Sequence, residues 1–268
     1  MNIMNNSMEK SKISEMFRGK KNKILSIYFT AGFPELNSTN RVILALQKSG
    51  VDMIEVGIPF SDPLADGNVI QQTSSIALSN GMTINVLFKQ LSSIKDQVQI
   101  PLVLMGYLNP ILKYGIEKFC SEASKLGISG VIVPDIPIDE YIQNYQNIFE
   151  SYRLPLIFLI TPSTPDNRIR LVDSVSKGFI YAVSSLSTTG KEENYSEFHW
   201  AYLSRIRSLN LSNPILVGFG IHNEQTFNIA TQYCNGAIIG SAYLKCIGDR
   251  SDIERNTSLF ISKIRGNN

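Results

Sequence analysis

The feature that most constrains this chain is a series of short apolar runs, each followed by a segment with helical spacing. Eight runs rich in Val, Ile and Leu lie at residues 23–30, 51–58, 100–107, 129–136, 154–160, 178–185, 213–220 and 235–242. Amphipathic segments such as 40–50, 84–96 and 115–127 lie between them, and Gly50 and Gly127 stand where helices are expected to end. Apolar strands that alternate with helices predict a parallel sheet covered by helices.

The number of units favours a closed sheet. Eight units in 268 residues match a (β/α)8 TIM barrel, an α/β fold, which we expect to form one domain over 12–268. Residues 1–11 are expected to be a flexible head, and 12–19 a short helix that covers the bottom of the barrel. The alternative is an open doubly wound sheet, although no GxGxxG motif follows the first strand.

Charge and cysteine content exclude several classes of protein. The formal net charge is +2 and basic residues are interleaved with acidic ones, so we expect neither a nucleic acid nor a membrane as partner. Cys120, Cys234 and Cys246 show no CxxC spacing, and His199 and His222 are isolated, so we expect no disulfide framework and no metal site. The first residues lack the apolar stretch of a secretory signal, and a cytoplasmic location is expected.

The second apolar run carries a carboxylate where a buried strand is predicted. Alternation along 51–58 places Met53, Glu55 and Gly57 on one face, and one face of a barrel strand is the packed interior. Burial raises the pKa of a carboxyl group, which suits proton transfer near neutral pH. The alternative is a structural acid that pairs with a buried donor and holds the strands in register.

The loop after this strand supplies a second acid. Asp66 precedes Gly67, a pair that is also typical of a turn with no catalytic role. Asp66 follows Glu55 by eleven positions, so a strand acid and a loop acid can flank one small ligand at the barrel mouth. That arrangement is typical of two-step proton transfer.

Glycine-rich turns close the last two runs. The segments "VGFGI" (217–221) and "IIGSAYLK" (238–245) leave backbone N–H groups free, and a helix that begins at Gly240 and Ser241 adds partial positive charge. Barrel enzymes commonly bind phosphate in the loops after strands seven and eight, so we expect a phosphate site here. The polar segment 184–194 is expected to be a lid, a further phosphate contact or simply a solvated loop.

Several motifs together resemble the tryptophan synthase alpha chain family. They are "EVGIPFSDPLADG" (55–67), "YFTAGFP" (28–34), "STTG" (187–190), "GFGI" (218–221) and "GSA" (240–242). The first is long and specific to the family, whereas many phosphate-binding barrels share the glycine turns. The resemblance implies a carbon–carbon lyase that cleaves indole-3-glycerol phosphate into indole and glyceraldehyde 3-phosphate by a retro-aldol reaction.

The resemblance also implies roles for individual residues. Glu55 matches the group that protonates indole C3 and helps to deprotonate the glycerol hydroxyl, Asp66 matches the carboxylate that accepts from the indole N–H, and Tyr181 lies near the reacting centre. The other assignments are an indole pocket of Tyr28, Tyr107 and Leu159, phosphate contacts at Gly190, Gly220, Gly240 and Ser241, and the lid residue Thr189. The residue types alone leave Tyr28 and Tyr181 equally suited to filling the barrel.

The resemblance further implies no cofactor in this chain and a beta-chain partner that carries pyridoxal phosphate, in an alpha2-beta2 heterotetramer. Three interpretations stay open: a lyase that is the alpha subunit, another phosphate-sugar isomerase or standalone indole-releasing lyase, and a non-catalytic subunit that activates the beta chain. Asn68, where the family often has proline, and Ser185 and Leu186 in the lid depart from the family pattern. Lid movement and coupling to a partner depend on these positions.

Overall fold

The computed structural model describes residues 11–183, 197–218, 220–248 and 252–266. Its strands are β1 (Ile24–Thr30), β2 (Met53–Gly57), β3 (Leu102–Met105), β4 (Gly130–Ile132), β5 (Leu156–Ile157), β6 (Leu159–Ile160), β7 (Ile180–Val183), β8 (Ile215–Gly218) and β9 (Gly236–Ile239). Its helices are α1 (Lys12–Gly19), α2 (Ser38–Lys48), α3 (Asn68–Ser79), α4 (Ile84–Ile94), α5 (Leu108–Tyr114), α6 (Ile116–Lys125), α7 (Ile138–Glu140), α8 (Gln146–Ser151), α9 (Asp166–Val175), α10 (Glu197–Ser208), α11 (Glu224–Tyr233), α12 (Ser241–Ile247) and α13 (Ile253–Arg265), with a π-helical turn at Tyr141–Tyr145.

All the strand pairs are parallel, and the sheet follows the order β5-β4-β3-β2-β1-β9-β8-β7-β6. Only Phe158 separates β5 from β6, and its carbonyl accepts a 3.0 Å hydrogen bond from the backbone N–H of Tyr181. The two ends of the sheet are therefore two parts of one interrupted strand, predicted at 154–160, and the sheet closes on itself. The predicted (β/α)8 barrel is confirmed, and the open doubly wound alternative is wrong.

The strands are shorter than the apolar runs that predict them because the run ends pass into loops and helix starts. Tyr107, the last residue of the third run, is the N-cap of α5. The predicted helix ends are confirmed at two positions: Gly50 and Gly127 follow α2 and α6 with φ of +82° and +73°, the left-handed region that glycine enters without steric cost.

Helix α1 covers the bottom of the barrel, as the sequence predicts. Its N-cap Ser11 accepts a 3.1 Å hydrogen bond from the N–H of Ser14, and Ile13 is fully buried. A Cβ added at Gly130 or Gly178 would lie 3.4 or 3.3 Å from the Ile13 side chain. Ile13 thus packs beneath the interrupted strand, and the opposite end of the barrel is the one left open for chemistry.

Within the described ranges, no helix is both long enough and apolar enough to cross a membrane.

Candidate active site

Strand register brings the predicted site residues onto the inner face of the barrel. Tyr28 of β1 lies beside Glu55 of β2, and Leu159 of β6 lies beside Tyr181 of β7. Side-by-side residues of parallel strands point to the same face. The phenols of Tyr28 and Tyr181 both interact electrostatically with Glu55, so all of these side chains share one interior space.

Glu55 is the most perturbed acid of this space. Its side chain is fully buried, Oε1 accepts a 2.8 Å hydrogen bond from the hydroxyl of Ser26, and Oε2 has no partner among the described residues. Burial raises the pKa of Glu55 to about 7, against the opposing effect of the Ser26 hydrogen bond. A carboxyl group that is part protonated near neutral pH can both give and take a proton there.

Two tyrosines fill the interior above Glu55 because glycines on neighbouring strands leave room for them. A Cβ added at Gly57, at the end of β2, would lie 2.6 Å from Cζ of Tyr28, and one added at Gly218, at the end of β8, would lie 2.7 Å from Cζ of Tyr181. Each ring therefore rests on a backbone without a side chain. Burial raises the pKa of both phenols far above the usual range, so both are uncharged.

Asp66 lies in the loop between β2 and α3, and Tyr107 holds that loop in place. The Tyr107 hydroxyl accepts a 3.0 Å hydrogen bond from the N–H of Ala65 and donates to the carboxylate of Asp66. Its ring packs against Phe60, with 5.2 Å between ring centroids. Asp66 is half-buried, and burial raises the pKa of its carboxyl group while the Tyr107 hydrogen bond lowers it. The family resemblance places Tyr107 in an indole pocket; the structure shows in addition that Tyr107 supports this loop.

The glycine turns after β8 and β9 lie next to each other, because these two strands are paired. Gly220 is exposed and has a φ of +63°, which favours glycine. Gly240 is the N-cap of α12, and exposed Ser241 is its first residue. The structure thus brings three of the four predicted phosphate contacts to one edge. Gly190 and Thr189, together with the departures Ser185 and Leu186, lie outside the described residues.

Ser26 is a further residue of the site that the motifs do not include, and Gly57 and Gly218 make the space for the two tyrosines. Ser26 carried a usable signal: it is a polar residue in a strand whose seven residues are all buried, the same argument that singled out Glu55. The glycine roles depend on which strands are neighbours, and a single strand pattern does not reveal that. Among the described residues, no group of three or more His, Cys, Asp or Glu side chains could hold a metal ion.

The site therefore combines a buried acid, a half-buried loop acid and a pair of glycine turns at one end of a barrel. An acid with its pKa near 7 can protonate a carbon or oxygen atom of a bound molecule. A second carboxylate can stabilise positive charge that develops on that molecule. The exposed turns offer backbone N–H groups to an anion.

Comparisons with known proteins agree with this chemistry. The sequence model of the family described as tryptophan synthase alpha chain matches residues 15–264. The tryptophan synthase alpha chain of Flavobacterium psychrophilum is 54% identical over 242 residues, which cover 90% of this chain and 95% of that one. The alpha chain of Flavobacterium johnsoniae is 56% identical over 227 residues, which cover 85% of this chain and 90% of its relative.

Solved structures show the same relationship. The tryptophan synthase alpha chain of Legionella pneumophila has a TM-score of 0.86 at 27% identity and covers 96% of this chain, with 97% of its own length matched. The tryptophan synthase complex of Pyrococcus furiosus matches with a TM-score of 0.83 at 31% identity, over 91% of this chain and 98% of that one. The expected resemblance is confirmed: the chain belongs to the tryptophan synthase alpha chain family.

Proposed function

We propose that this alpha chain cleaves indole-3-glycerol phosphate with Glu55 as the acid and base and Asp66 as the partner of the indole N–H. The family is a carbon–carbon lyase that forms indole and glyceraldehyde 3-phosphate. One observation carries the residue assignment: Glu55 is a fully buried carboxyl group on the inner face of an otherwise apolar strand, and one of its oxygens has no partner among the described residues. Such a group is costly to bury, and proton transfer explains its presence.

The reaction needs a proton at indole C3 before the carbon–carbon bond breaks, because C3 otherwise leaves as an unstable carbanion. Protonated Glu55 donates that proton, and the electron pair of the former O–H bond stays on the carboxylate. The ring becomes an indolenine with positive charge at N1. The carboxylate then takes the proton of the hydroxyl group on the adjacent glycerol carbon, the bond to C3 breaks, and its electron pair restores the indole ring.

Asp66 stabilises the charge that appears at N1. Its carboxylate is an acceptor for the N–H as the indolenine forms, and that hydrogen bond strengthens as positive charge develops. The hydrogen bond from Tyr107 favours the ionised form of Asp66, which is the form that this role requires. Tyr28, Tyr181 and Leu159 then lie around the indole ring.

We place the phosphate group of the substrate at the turns of Gly220, Gly240 and Ser241. Backbone N–H groups and the hydroxyl of Ser241 supply donors, and the ends of β8 and β9 set the distance from the reacting carbon. We place Gly190 in the same site and Thr189 in the lid on the family resemblance alone.

We also propose a beta chain as the partner, in an alpha2-beta2 heterotetramer, with pyridoxal phosphate only in the beta chain. Leu64, which is 91% exposed, and Leu112 on α5, which is 43% exposed, lie at the same end of the barrel as the site. We place part of the beta-chain contact on these two side chains, because a partner that covers them removes apolar surface from water. A cytoplasmic location fits the free thiols of Cys120, Cys234 and Cys246.

The experiment is indole release from indole-3-glycerol phosphate by the full chain, with and without a tryptophan synthase beta chain. Release by the chain alone supports the lyase and excludes a non-catalytic activator. Stimulation by the beta chain, together with its capture in a pull-down, identifies a subunit rather than a standalone enzyme. A folded chain that releases no indole even with the beta chain overturns the proposal.

A further inference from the structure

We propose that Ser26 is a positioning residue for the reaction: its hydroxyl holds Oε1 of Glu55, so that the proton delivered to the substrate is carried on Oε2. This inference rests on the role proposed for Glu55. Nothing in the motifs that carry the family resemblance includes Ser26, which lies two residues before "YFTAGFP".

The geometry of β1 and β2 makes this contact. Ser26 lies beside Met53 in the strand register, and the next inward pair is Tyr28 with Glu55. Ser26 therefore lies diagonally below Glu55, one layer nearer the bottom of the barrel. Its hydroxyl is 2.8 Å from Oε1, and neither side chain has any exposed surface. Since water does not reach the pair, the hydroxyl has no solvent partner that competes with the carboxyl group.

The chemistry of the two oxygens then follows. A carboxyl oxygen that already accepts a hydrogen bond is the poorer site for the acid proton, because the donor stabilises negative charge there. The proton of neutral Glu55 is thus carried on Oε2, which has no partner within the described part of the chain. When Oε2 gives up the proton, Ser26 goes on donating to Oε1. The carboxylate therefore keeps its orientation for the second step, in which it takes the proton of the glycerol hydroxyl.

Other groups around Glu55 do not supply this control. Among the described residues, the titratable groups that interact electrostatically with Glu55 are Tyr28 on β1 and Tyr181 on β7, and burial keeps both phenols neutral. The neighbour on β3 is apolar Val103. Asp66, in the loop after β2, interacts electrostatically with the two tyrosines. Of the described residues, Ser26 makes the hydrogen bond that opposes burial at Glu55.

The test compares the wild type with Ser26→Ala and Ser26→Thr, and with Ser176→Ala as the matched control. Ser176 is also buried, but its hydroxyl has no partner among the described residues, so its loss removes only an unbonded oxygen. The measurements are the pH dependence of kcat for indole release at saturating substrate, KM, and a ¹³C NMR titration of the Glu55 carboxyl carbon, assigned by its absence in Glu55→Gln.

Ser26→Ala is expected to lower the plateau of kcat roughly tenfold and to move the alkaline limb of the profile upward by about one pH unit. Removing the donor disfavours the ionised carboxylate, hence the upward direction. KM should change less than about twofold, because Ser26 contacts Glu55 rather than the substrate. Ser26→Thr keeps the hydroxyl and should restore the limb, and Ser176→Ala should leave the profile unchanged.

The proposal is overturned if Ser26→Ala moves neither the alkaline limb of the kcat profile nor the midpoint of the carboxyl titration. Changes no larger than those of Ser176→Ala would also overturn it. So would a higher KM with an unchanged kcat profile, which assigns Ser26 to substrate contact or packing. The NMR titration separates this inference from the proposed function. If the carboxyl midpoint moves in Ser26→Ala but the wild type releases no indole, the hydrogen bond is supported as proposed and the catalytic role of Glu55 fails.

Discussion

Glu55 and Asp66 are two acids of one site, yet the protein holds them in different ways. Glu55 lies in the middle of a fully buried strand, and Ser26 fixes one of its oxygens. Asp66 lies half-buried in a loop, where Tyr107 supports its side chain and Gln71 donates to its backbone carbonyl at 2.8 Å. A strand gives an acid a fixed place and a strongly raised pKa, whereas a loop gives an acceptor that can adjust to the bound molecule.

The largest effect is expected from Glu55→Gln, which removes the proton donor and keeps the size of the side chain. We expect kcat for indole release to fall by roughly 10³-fold, because a positioned acid–base group contributes about that much. Glu254→Gln is the matched control, since Glu254 is an exposed acid on α13 that pairs with Arg41. Comparable losses in the two variants would contradict the special role of the buried acid.

Glu55→Gln should lower activity but make the protein more stable than the wild type at high pH. The folded-state pKa of Glu55 is about 7 and its ordinary value is 4.5, so the native state holds the proton to higher pH than the unfolded chain does. The free energy of unfolding of the wild type should therefore fall relative to that of Glu55→Gln as pH rises from 4.5. The loss should reach about 3 kcal/mol above pH 7. Urea unfolding at several pH values checks this, and parallel stability curves would count against it.

Asp66→Asn tests the loop acid. We expect a loss in kcat of about 10²-fold, smaller than that of Glu55→Gln, because the variant loses charge stabilisation at N1 but keeps the proton donor. Because burial also raises the pKa of Asp66, the variant should change the pH dependence of stability in the same direction as Glu55→Gln, but to a smaller extent. Asp96→Asn, at an exposed acid near the end of α4, is the control and should behave as the wild type. A loss confined to KM would assign Asp66 to binding alone.

The smallest effect is expected from Tyr107→Phe, which leaves Asp66 in place but removes the hydroxyl that supports its loop. We expect kcat to fall about fivefold, the equivalent of one hydrogen bond of about 1 kcal/mol. Tyr114→Phe is matched, since the Tyr114 hydroxyl, on the outer helices, donates to a carboxylate oxygen of Glu122 at 2.6 Å and lies 3.1 Å from Oδ1 of Asn85. If both tyrosine variants have the same activity, Tyr107 does not position Asp66.

Some features of the fold and of the site can be predicted from the sequence, and others cannot. Glu55 could be predicted because a carboxylate in an apolar run stands out within one strand, and the eight runs predict the barrel by the same reasoning. Ser26 is also a polar residue in an apolar run, but it indicates a functional role less strongly than Glu55 does, because a small hydroxyl is buried at low cost. The interruption at Phe158 and the fit of Tyr28 over Gly57 depend on register between strands, which the pattern of one strand does not encode.

The most direct test of the central claim is the pH profile of kcat for the wild type and for Glu55→Gln, at saturating substrate. If Glu55 is the proton donor, wild-type activity is present at low pH and declines as pH rises through about 7, where the carboxyl group loses its proton. The residual activity of Glu55→Gln should lack that limb. A limb near the ordinary value of 4.5, or one near 7 that persists in Glu55→Gln, would contradict the account.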